Sequence, residues 1–296
     1  MEERHRAAEG TAAEMTDLDA RRRFFAEEIQ ACCNLRTAAL VDALAAVPRE
    51  QFLRPGPWTV GSDFGGGPRQ TPDSDPKHVY HNLAVGIDPA RQLFNGAPTV
   101  VAGAIDALAL APGHRVLHVG CGLGYYTALI AHVVGPTGRV VAVEVDEGLA
   151  VDARRNLSPL PWAEVRLGDG SEAPADAFDA ILVNAGVTHP LDSWLDALVT
   201  EGRLVLPLTA TSPQMGAIGR GLMLLLKKTA EGPFDVRMLT TVAIYSAVGL
   251  RDDALNEALV RALTRAPMAP PKRLRRDAHE PSPSCWLHGP TSCFSS

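Results

Sequence analysis

Three glycines with regular spacing lie between an apolar segment and a predicted helix. Gly120, Gly122 and Gly124 follow Arg115–Val119, which has the pattern of a buried strand, and the residues after them predict a helix through His132. Glycine at such a strand-to-helix turn lets a ligand approach the backbone, and the helix N-terminus favours a negatively charged group. The turn therefore predicts a site for a nucleotide-like cofactor.

Two carboxylates follow the next two predicted strands. Glu144 ends the second strand, where a carboxylate can accept both hydroxyls of a ribose. Asp169, within Gly168–Gly170, follows the third strand, where it can reach an adenine amino group. These features fit S-adenosylmethionine or NAD. The NAD fingerprint, however, needs a glycine at the position of Tyr125 and usually opens its domain, so NAD is the second choice.

Strands and helices alternate through the central part of the chain. This alternation predicts parallel βαβ units with helices on both faces of a sheet. We expect an α/β fold with a doubly wound, mostly parallel seven-stranded sheet. Residues 54–78, rich in Gly, Pro, Asp and Ser, predict a long surface loop.

Taken in order, these segments resemble the class I S-adenosylmethionine-dependent methyltransferases. The Gly-rich turn, the Gly-Asp-Gly, Phe178–Val183 and Gly202–Pro207 follow one another at suitable spacing. Val47-Pro-Arg-Glu-Gln-Phe-Leu53 narrows the resemblance, over roughly residues 37–250, to the protein-L-isoaspartate O-methyltransferase family. We therefore expect a helical and loop cap over the methyl-acceptor site at 1–98, the cofactor-binding core at 99–265, and a Pro/Arg-rich tail at 266–296.

The resemblance implies S-adenosylmethionine as the cofactor and S-adenosylhomocysteine as the product. It implies that Glu144 holds the ribose and Asp169 the adenine. His118 stands where the family carries an acidic residue, which weakens the contact expected with the cofactor's ammonium group. The other residues expected at the cofactor are Gly120, Cys121, Gly122, Gly124, Gly170 and Asn184.

The acceptor half departs further from the family. Family members carry a Gln-Thr-Ile-Ser-Gln-Pro-like segment whose serine faces the acceptor carboxylate. The matching segment, Arg91–Pro98, contains no serine or threonine, and Asn95 and Gly96 take that place. The substrate class therefore does not follow from the resemblance.

Several residues are candidates for contact with the acceptor. A phenol, amine or indole carbon benefits from a nearby base, and His189, after the fourth strand, is the candidate general base. Tyr80 and His81 are candidate acceptor contacts, or else a latch that packs the loop on the core. The aromatic side chains that would line an apolar acceptor pocket, or simply pack in the core, are Trp58, Phe64 and Phe94.

These features predict a methyltransferase for a small-molecule or peptide acceptor. An electron-rich aromatic acceptor, such as a phenol or indole of secondary metabolism, fits the histidines and aromatic residues named above. The alternative is methylation of isoaspartyl proteins for repair. A further alternative, motivated by His118, is a protein that binds S-adenosylmethionine without catalysis.

The tail carries four side chains of types that bind zinc. They occur as His279-x5-Cys285-x2-His288-x4-Cys293, a spacing that matches no common zinc module. We therefore expect no metal there and expect the tail to dock by burying Trp286.

Composition excludes several classes of protein. The 296 residues carry a net charge of −6, which argues against a nucleic-acid-binding surface over the whole protein. No apolar run approaches the ~18–20 residues that span a bilayer. The N-terminus, Met1–Arg6, lacks the apolar region of a secretory signal, and five cysteines do not make a disulfide framework. We expect a cytoplasmic protein with no membrane or nucleic-acid partner.

Overall fold

The computed structural model describes residues 16–62, 66–172, 176–265 and 269–296. Its helices are α1 (Asp17–Cys33), α2 (Ala38–Ala46), α3 (Pro98–Ala107), α4 (Tyr125–Val134), α5 (Glu147–Leu157), α6 (Asp192–Ala197) and α7 (Asp253–Arg265). Its strands are β1 (Thr59–Gly61), β2 (Arg69–Gln70), β3 (Ala84–Asp88), β4 (Leu93–Phe94), β5 (Arg115–Val119), β6 (Arg139–Glu144), β7 (Ala163–Leu167), β8 (Phe178–Val183), β9 (Leu198–Ala210), β10 (Ile218–Lys228), β11 (Phe234–Tyr245), β12 (Arg273–Arg275), β13 (Cys285–His288) and β14 (Cys293–Ser295).

The main sheet has the strand order β7-β6-β5-β8-β9-β10-β11-β12-β14-β13. Strands β7, β6, β5, β8 and β9 pair with one another in parallel. Each further pair, beginning with β9–β10, is antiparallel. The expected α/β fold is confirmed. The strand count differs from seven because the tail adds three short strands beyond β11.

Side chains alternate between the two faces of the parallel strands, as the twofold period of a strand requires. On β5, Val116 packs in a cluster with residues of α3 and α4, whereas Leu117 packs on the opposite face with Trp194 of α6. Helix α4 is buried along most of its length because its sequence, YYTALIAHVV, is apolar on nearly every side. The Gly-rich turn is thus held between a buried strand and a buried helix.

The N-terminal part combines helices α1 and α2 with a second, four-stranded sheet in the order β2-β1-β3-β4. The prediction of a long loop over 54–78 is wrong where β1 and β2 form. Val60 explains this, because its side chain is buried and its backbone position pairs with both Arg69 and Val85. Phe64 lies outside the described residues.

Within the described part of the chain, no helix is long and apolar enough to cross a membrane.

Candidate cofactor and acceptor site

The three glycines of the Gly-rich turn have backbone conformations that other residue types adopt only with strain. Gly120, Gly122 and Gly124 have φ values of +78°, +56° and +93°, in the left-handed region that favours glycine. Gly124 begins α4, and a Cβ atom there would lie 3.0 Å from Leu157 Cδ1 of the neighbouring α5. The glycines therefore permit both the turn and the close approach of two helices.

A cavity opens at the carboxyl edge of β5, β6 and β8, where the Gly-rich turn lies. Six of the eight expected cofactor residues line it, namely Gly120, Cys121, Gly122, Glu144, Asp169 and Asn184. The other two support the wall from behind. Gly124 begins the helix, and a Cβ atom on Gly170 would lie 2.6 Å from Val119 Cγ1.

The two carboxylates on the cavity wall are held by backbone donors. Glu144 accepts hydrogen bonds from the amides of Gly122 (2.8 Å) and Asp146 (3.1 Å). Asp169 accepts one from the amide of Ser171 (2.8 Å), and hydrogen bonding by Ser171 holds the pKa of Asp169 below its usual value. Asp169 is therefore ionised at neutral pH and can accept hydrogen bonds from a ligand.

Two unusual residues near the turn are electrically neutral. His118 is fully buried, with its Nδ1 2.9 Å from Thr127 Oγ1, and burial lowers its pKa to about 3. It is not among the residues that line the cavity. Burial also raises the pKa of the Cys121 thiol, so Cys121 fills space on the wall and is not a thiolate nucleophile.

A buried arginine supports the opposite wall of the cavity. The guanidinium of Arg49 donates to the carbonyl oxygens of Val79 (2.7 Å) and Leu83 (2.8 Å), and to the side-chain oxygen of Asn95 (3.4 Å). Arg49 is fully buried, and it has no ion-pair partner among the residues that the structure describes. Its positive charge is stabilised by carbonyl dipoles and by the rings of Phe25 and Tyr125, whose centroids lie 5.9 and 5.7 Å from the guanidinium carbon.

The side-chain oxygen of Asn95 has hydrogen-bond partners, whereas its side-chain nitrogen has none among the described residues. Its Oδ1 accepts from the amide of Val85 (2.8 Å) and from Arg49, so these two donors fix the orientation of the amide. Its Nδ2 is buried and has no hydrogen-bond partner in the described part of the chain. Asn95 is also one of the residues that line the cavity.

Two further cavity residues carry buried hydroxyl groups without a partner among the described residues. They are Tyr125, whose ring lies 5.7 Å from the Arg49 guanidinium carbon, and Ser246, directly after β11. Burial raises the pKa of Tyr125, which keeps its hydroxyl protonated as a donor. Together with Asn95, three of the residues that line the cavity therefore carry a buried hydrogen-bonding group without a partner among the described residues.

The structure does not bring His189 to this cavity. Its side chain lies in a separate small cavity beside the tail, with Leu255 and Leu287, and its Nδ1 is 3.0 Å from Thr188 Oγ1. Burial lowers the pKa of His189.

Tyr80 and His81 also lie away from the cavity wall. The Tyr80 hydroxyl accepts from the Arg49 amide (3.1 Å) and donates to the Glu50 carboxylate, while His81 is exposed. This arrangement matches the latch alternative. Of the predicted aromatic residues, Phe94 lines the cavity, whereas the buried Trp58 donates to the Arg54 carbonyl and does not.

The family model for protein-L-isoaspartate(D-aspartate) O-methyltransferases matches residues 69–249. The chain belongs to this family. It is an S-adenosylmethionine-dependent methyltransferase, as the resemblance of its ordered series of motifs implies.

Individual relatives agree with this assignment. A protein-L-isoaspartate O-methyltransferase of Methylorubrum extorquens is 33% identical over 224 residues, which are 74% of this chain and 85% of that protein. One from Methanopyrus kandleri is 33% identical over 61% of this chain and 74% of its own length. A solved structure of a protein-L-isoaspartate O-methyltransferase superposes with a TM-score of 0.61 at 23% identity, covering 86% of this chain and 73% of that one, which supports the fold. The relatives do not support the predicted aromatic acceptor of secondary metabolism and favour the isoaspartate alternative.

Sequence reasoning missed Arg49, Tyr125 and Ser246 as functional candidates. Arg49 lies within the Val47–Leu53 segment that narrows the family resemblance, and this position is the sequence signal for it. Tyr125 stands at the position where the NAD fingerprint needs a glycine, which does not by itself indicate a contact with the acceptor. Ser246 carries no such signal, because it follows a plain antiparallel strand and reaches the cavity only through the sheet.

Proposed function

We propose that this methyltransferase transfers its methyl group to the side-chain carboxylate of isoaspartyl residues in peptides or proteins. The observation that carries the proposal is that three of the residues lining the cavity, Asn95, Tyr125 and Ser246, each carry a buried hydrogen-bonding group without a partner in the described part of the chain. Buried donors without partners cost about 1–3 kcal/mol each, so a ligand that satisfies them is favoured. A carboxylate is suited to do this, because its two oxygens accept several hydrogen bonds.

The buried charge of Arg49 adds to this preference. The guanidinium lies behind the wall, bonded to Asn95 and stacked near Tyr125. A cation in a low-dielectric region attracts an anion more strongly than it would in water. An anionic acceptor is therefore favoured over a neutral phenol or indole.

Carboxyl methylation also fits a cavity with no histidine among its described lining residues. When bound, S-adenosylmethionine supplies a methyl group on a positively charged sulfur. A carboxylate oxygen that attacks this methyl carbon forms a methyl ester as the carbon–sulfur bond breaks, and no proton has to be removed. The chain then has to position the acceptor and exclude water. His189, the one histidine predicted as a base, lies in a different cavity.

At the cofactor half, we assign Glu144 to the ribose hydroxyls and Asp169 to the adenine amino group. Both carboxylates line the cavity at the ends of their strands. Each Glu144 oxygen accepts one backbone amide and can accept a second donor, and Asp169 accepts the Ser171 amide through Oδ1. At the acceptor half, Asn95 takes the role of the serine in related enzymes, donating through Nδ2 to the acceptor carboxylate.

The test is methyl transfer from labelled S-adenosylmethionine to a synthetic isoaspartyl peptide, alongside the same peptide with ordinary aspartate. We expect the isoaspartyl peptide to be labelled, and mild alkali to release the label as methanol. The aspartyl control should be labelled at no more than about a tenth of that rate. Cofactor affinity is measured in parallel by calorimetry.

Two outcomes would contradict the proposal. Tight cofactor binding without labelling of any peptide or small acceptor would favour the non-catalytic alternative. Alkali-stable labelling of phenols or indoles, with the peptide unlabelled, would restore the aromatic acceptor.

A further inference from the structure

The tail folds into a small extension of the main sheet. Strands β12, β14 and β13 continue the sheet beyond β11, and each has only three or four residues. The tail buries Trp286, Leu287 and Phe294 in the same core cluster as Leu274. Trp286 thus docks the tail as predicted. Such short strands provide few hydrogen bonds with which to hold the hairpin.

Four zinc-binding side chain types meet at this hairpin. Their candidate ligand atoms all lie within 4.8 Å of one another. This group, called the tail cluster below, consists of His279, Cys285, His288 and Cys293. The last two directly oppose each other in the β13–β14 register, on either side of the turn at 289–292. The tertiary structure therefore assembles residues that the linear spacing left unassigned.

The separations suit a tetrahedral metal ion. Zinc lies ~2.3 Å from sulfur and ~2.0–2.1 Å from imidazole nitrogen, so its ligand atoms are about 3.3–3.8 Å apart. The Cys285 sulfur lies 3.5 Å from His279 Nε2, within that range. The rings of His279 and His288 lie edge to face with centroids 4.9 Å apart. A small inward shift of the remaining atoms completes the tetrahedron.

Hydrogen bonding leaves the cluster ready for a cation. His279 Nδ1 is 2.9 Å from the Asp277 carbonyl oxygen, which can only accept, so Nδ1 donates and Nε2 keeps its lone pair. This is the usual second contact of a metal-binding histidine. The Nδ1 atom of His288 is buried and has no partner among the described residues. A buried polar atom left without a partner calls for an explanation, such as a missing ion.

We propose that the tail cluster binds one zinc ion, which fastens the C-terminal hairpin to the methyltransferase sheet. Two thiolates, two imidazoles and no open position make a closed structural site. On binding, the two thiols lose their protons, and the two thiolate charges balance Zn²⁺. Thiolate sulfur selects zinc over magnesium or calcium, which prefer oxygen ligands. The spacing-based expectation of no metal is replaced by this proposal.

The test uses the untagged full-length chain purified without chelator. We expect about one zinc per chain by elemental analysis. Cys285→Ser and Cys293→Ser should each weaken zinc binding by more than about 100-fold, since loss of even an outer contact to a ligand costs 10–100-fold. Cys32→Ser is the matched control, because Cys32 is a free, exposed cysteine outside the cluster, and it should keep the metal.

Cobalt substitution tests the coordination in the unaltered chain, independently of whether variants fold. Tetrahedral Co²⁺ with two thiolates should show intense visible bands and a sulfur-to-cobalt charge-transfer band. Zinc removal should lower the thermal midpoint, since ligand binding to the native state stabilises it. Absence of zinc after incubation with the metal, weak octahedral cobalt bands, or a Cys285–Cys293 disulfide in the chain purified under reducing conditions would each overturn the proposal.

Discussion

The two walls of the cavity are built in different ways. The cofactor wall comes from the Gly-rich turn and from strand ends of one contiguous parallel sheet. The acceptor wall brings together Asn95, Tyr125 and Ser246, with Arg49 behind them, from distant parts of the chain. The cofactor wall consists of motifs that are contiguous in the sequence, whereas the proposed acceptor wall depends on contacts between distant segments. The difference shows why the first wall can be recognised from the sequence and the second cannot.

The largest effect is expected from Arg49→Met, which removes the support of the acceptor wall. The carbonyl oxygens of Val79 and Leu83 and the amide of Asn95 lose a charged donor. Each such bond contributes about 1.5–3 kcal/mol, so the free energy of unfolding should fall by about 3 kcal/mol or more. Urea denaturation measures it. Arg54→Met, at an exposed ion pair, is the control and should cost less than about 1 kcal/mol.

Asn95→Asp should affect the reaction with the peptide without affecting cofactor binding, and it therefore distinguishes the two walls. The substitution keeps an oxygen for Val85 but replaces the free donor with an oxygen that repels a carboxylate acceptor. We expect kcat/KM for the isoaspartyl peptide to fall about 100-fold, equal to ~2.7 kcal/mol, while the Kd of S-adenosylmethionine stays within threefold. Gln51→Glu, an exposed change of equal charge, should leave both unchanged. An equal loss of peptide and cofactor binding would mean that Asn95 serves the cofactor wall.

Asp169→Ala should affect the cofactor wall instead. Loss of a hydrogen-bond acceptor for the adenine should raise the Kd of S-adenosylmethionine by about 10–100-fold, equal to ~1.4–2.7 kcal/mol. Calorimetry measures this directly. Asp176→Ala removes an exposed carboxylate paired with Arg139 and should not change the Kd. An unchanged Kd of S-adenosylmethionine in Asp169→Ala would contradict the assignment of Asp169 to the adenine amino group.

His118, which lies behind the Gly-rich turn, makes the free energy of unfolding depend on pH. Its folded pKa of about 3 lies below the ordinary 6.5, so the unfolded chain takes up the proton first as the pH falls. Stability from this group is full above pH 6.5 and decreases on acidification by up to about 1.4 kcal/mol per pH unit. His118→Gln should therefore flatten the decline of unfolding free energy between pH 6.5 and 4.5. His132→Gln, at an exposed position, should follow the wild type.

The smallest effect is expected from His189→Ala. Because the imidazole lies beside the tail and not in the main cavity, kcat should stay within about twofold of the wild type. Steady-state kinetics with the isoaspartyl peptide measures it. A large loss of kcat without loss of cofactor affinity would return His189 to the role of general base.

The central fold could be predicted because its signals are local. Arg115–Val119 matches the observed strand, and the glycines of the turn needed no partner to be recognised. The small N-terminal sheet could not be predicted, since its strands have two to five residues and form only through pairs such as Val60 with Val85. The tail strands were missed for the same reason.

The sequence by itself indicated the residues of the cofactor half, because a Gly-rich turn and carboxylates at strand ends can be recognised from short, contiguous segments. It left open which groups face the acceptor, since an unpartnered donor such as Asn95 Nδ2 exists only after every other contact has formed. The same holds for the tail cluster, whose ligand atoms meet only through the β13–β14 register. Tertiary structure decided which of these side chains meet, because hydrogen-bond satisfaction and the distances between side chains are properties of positions in space.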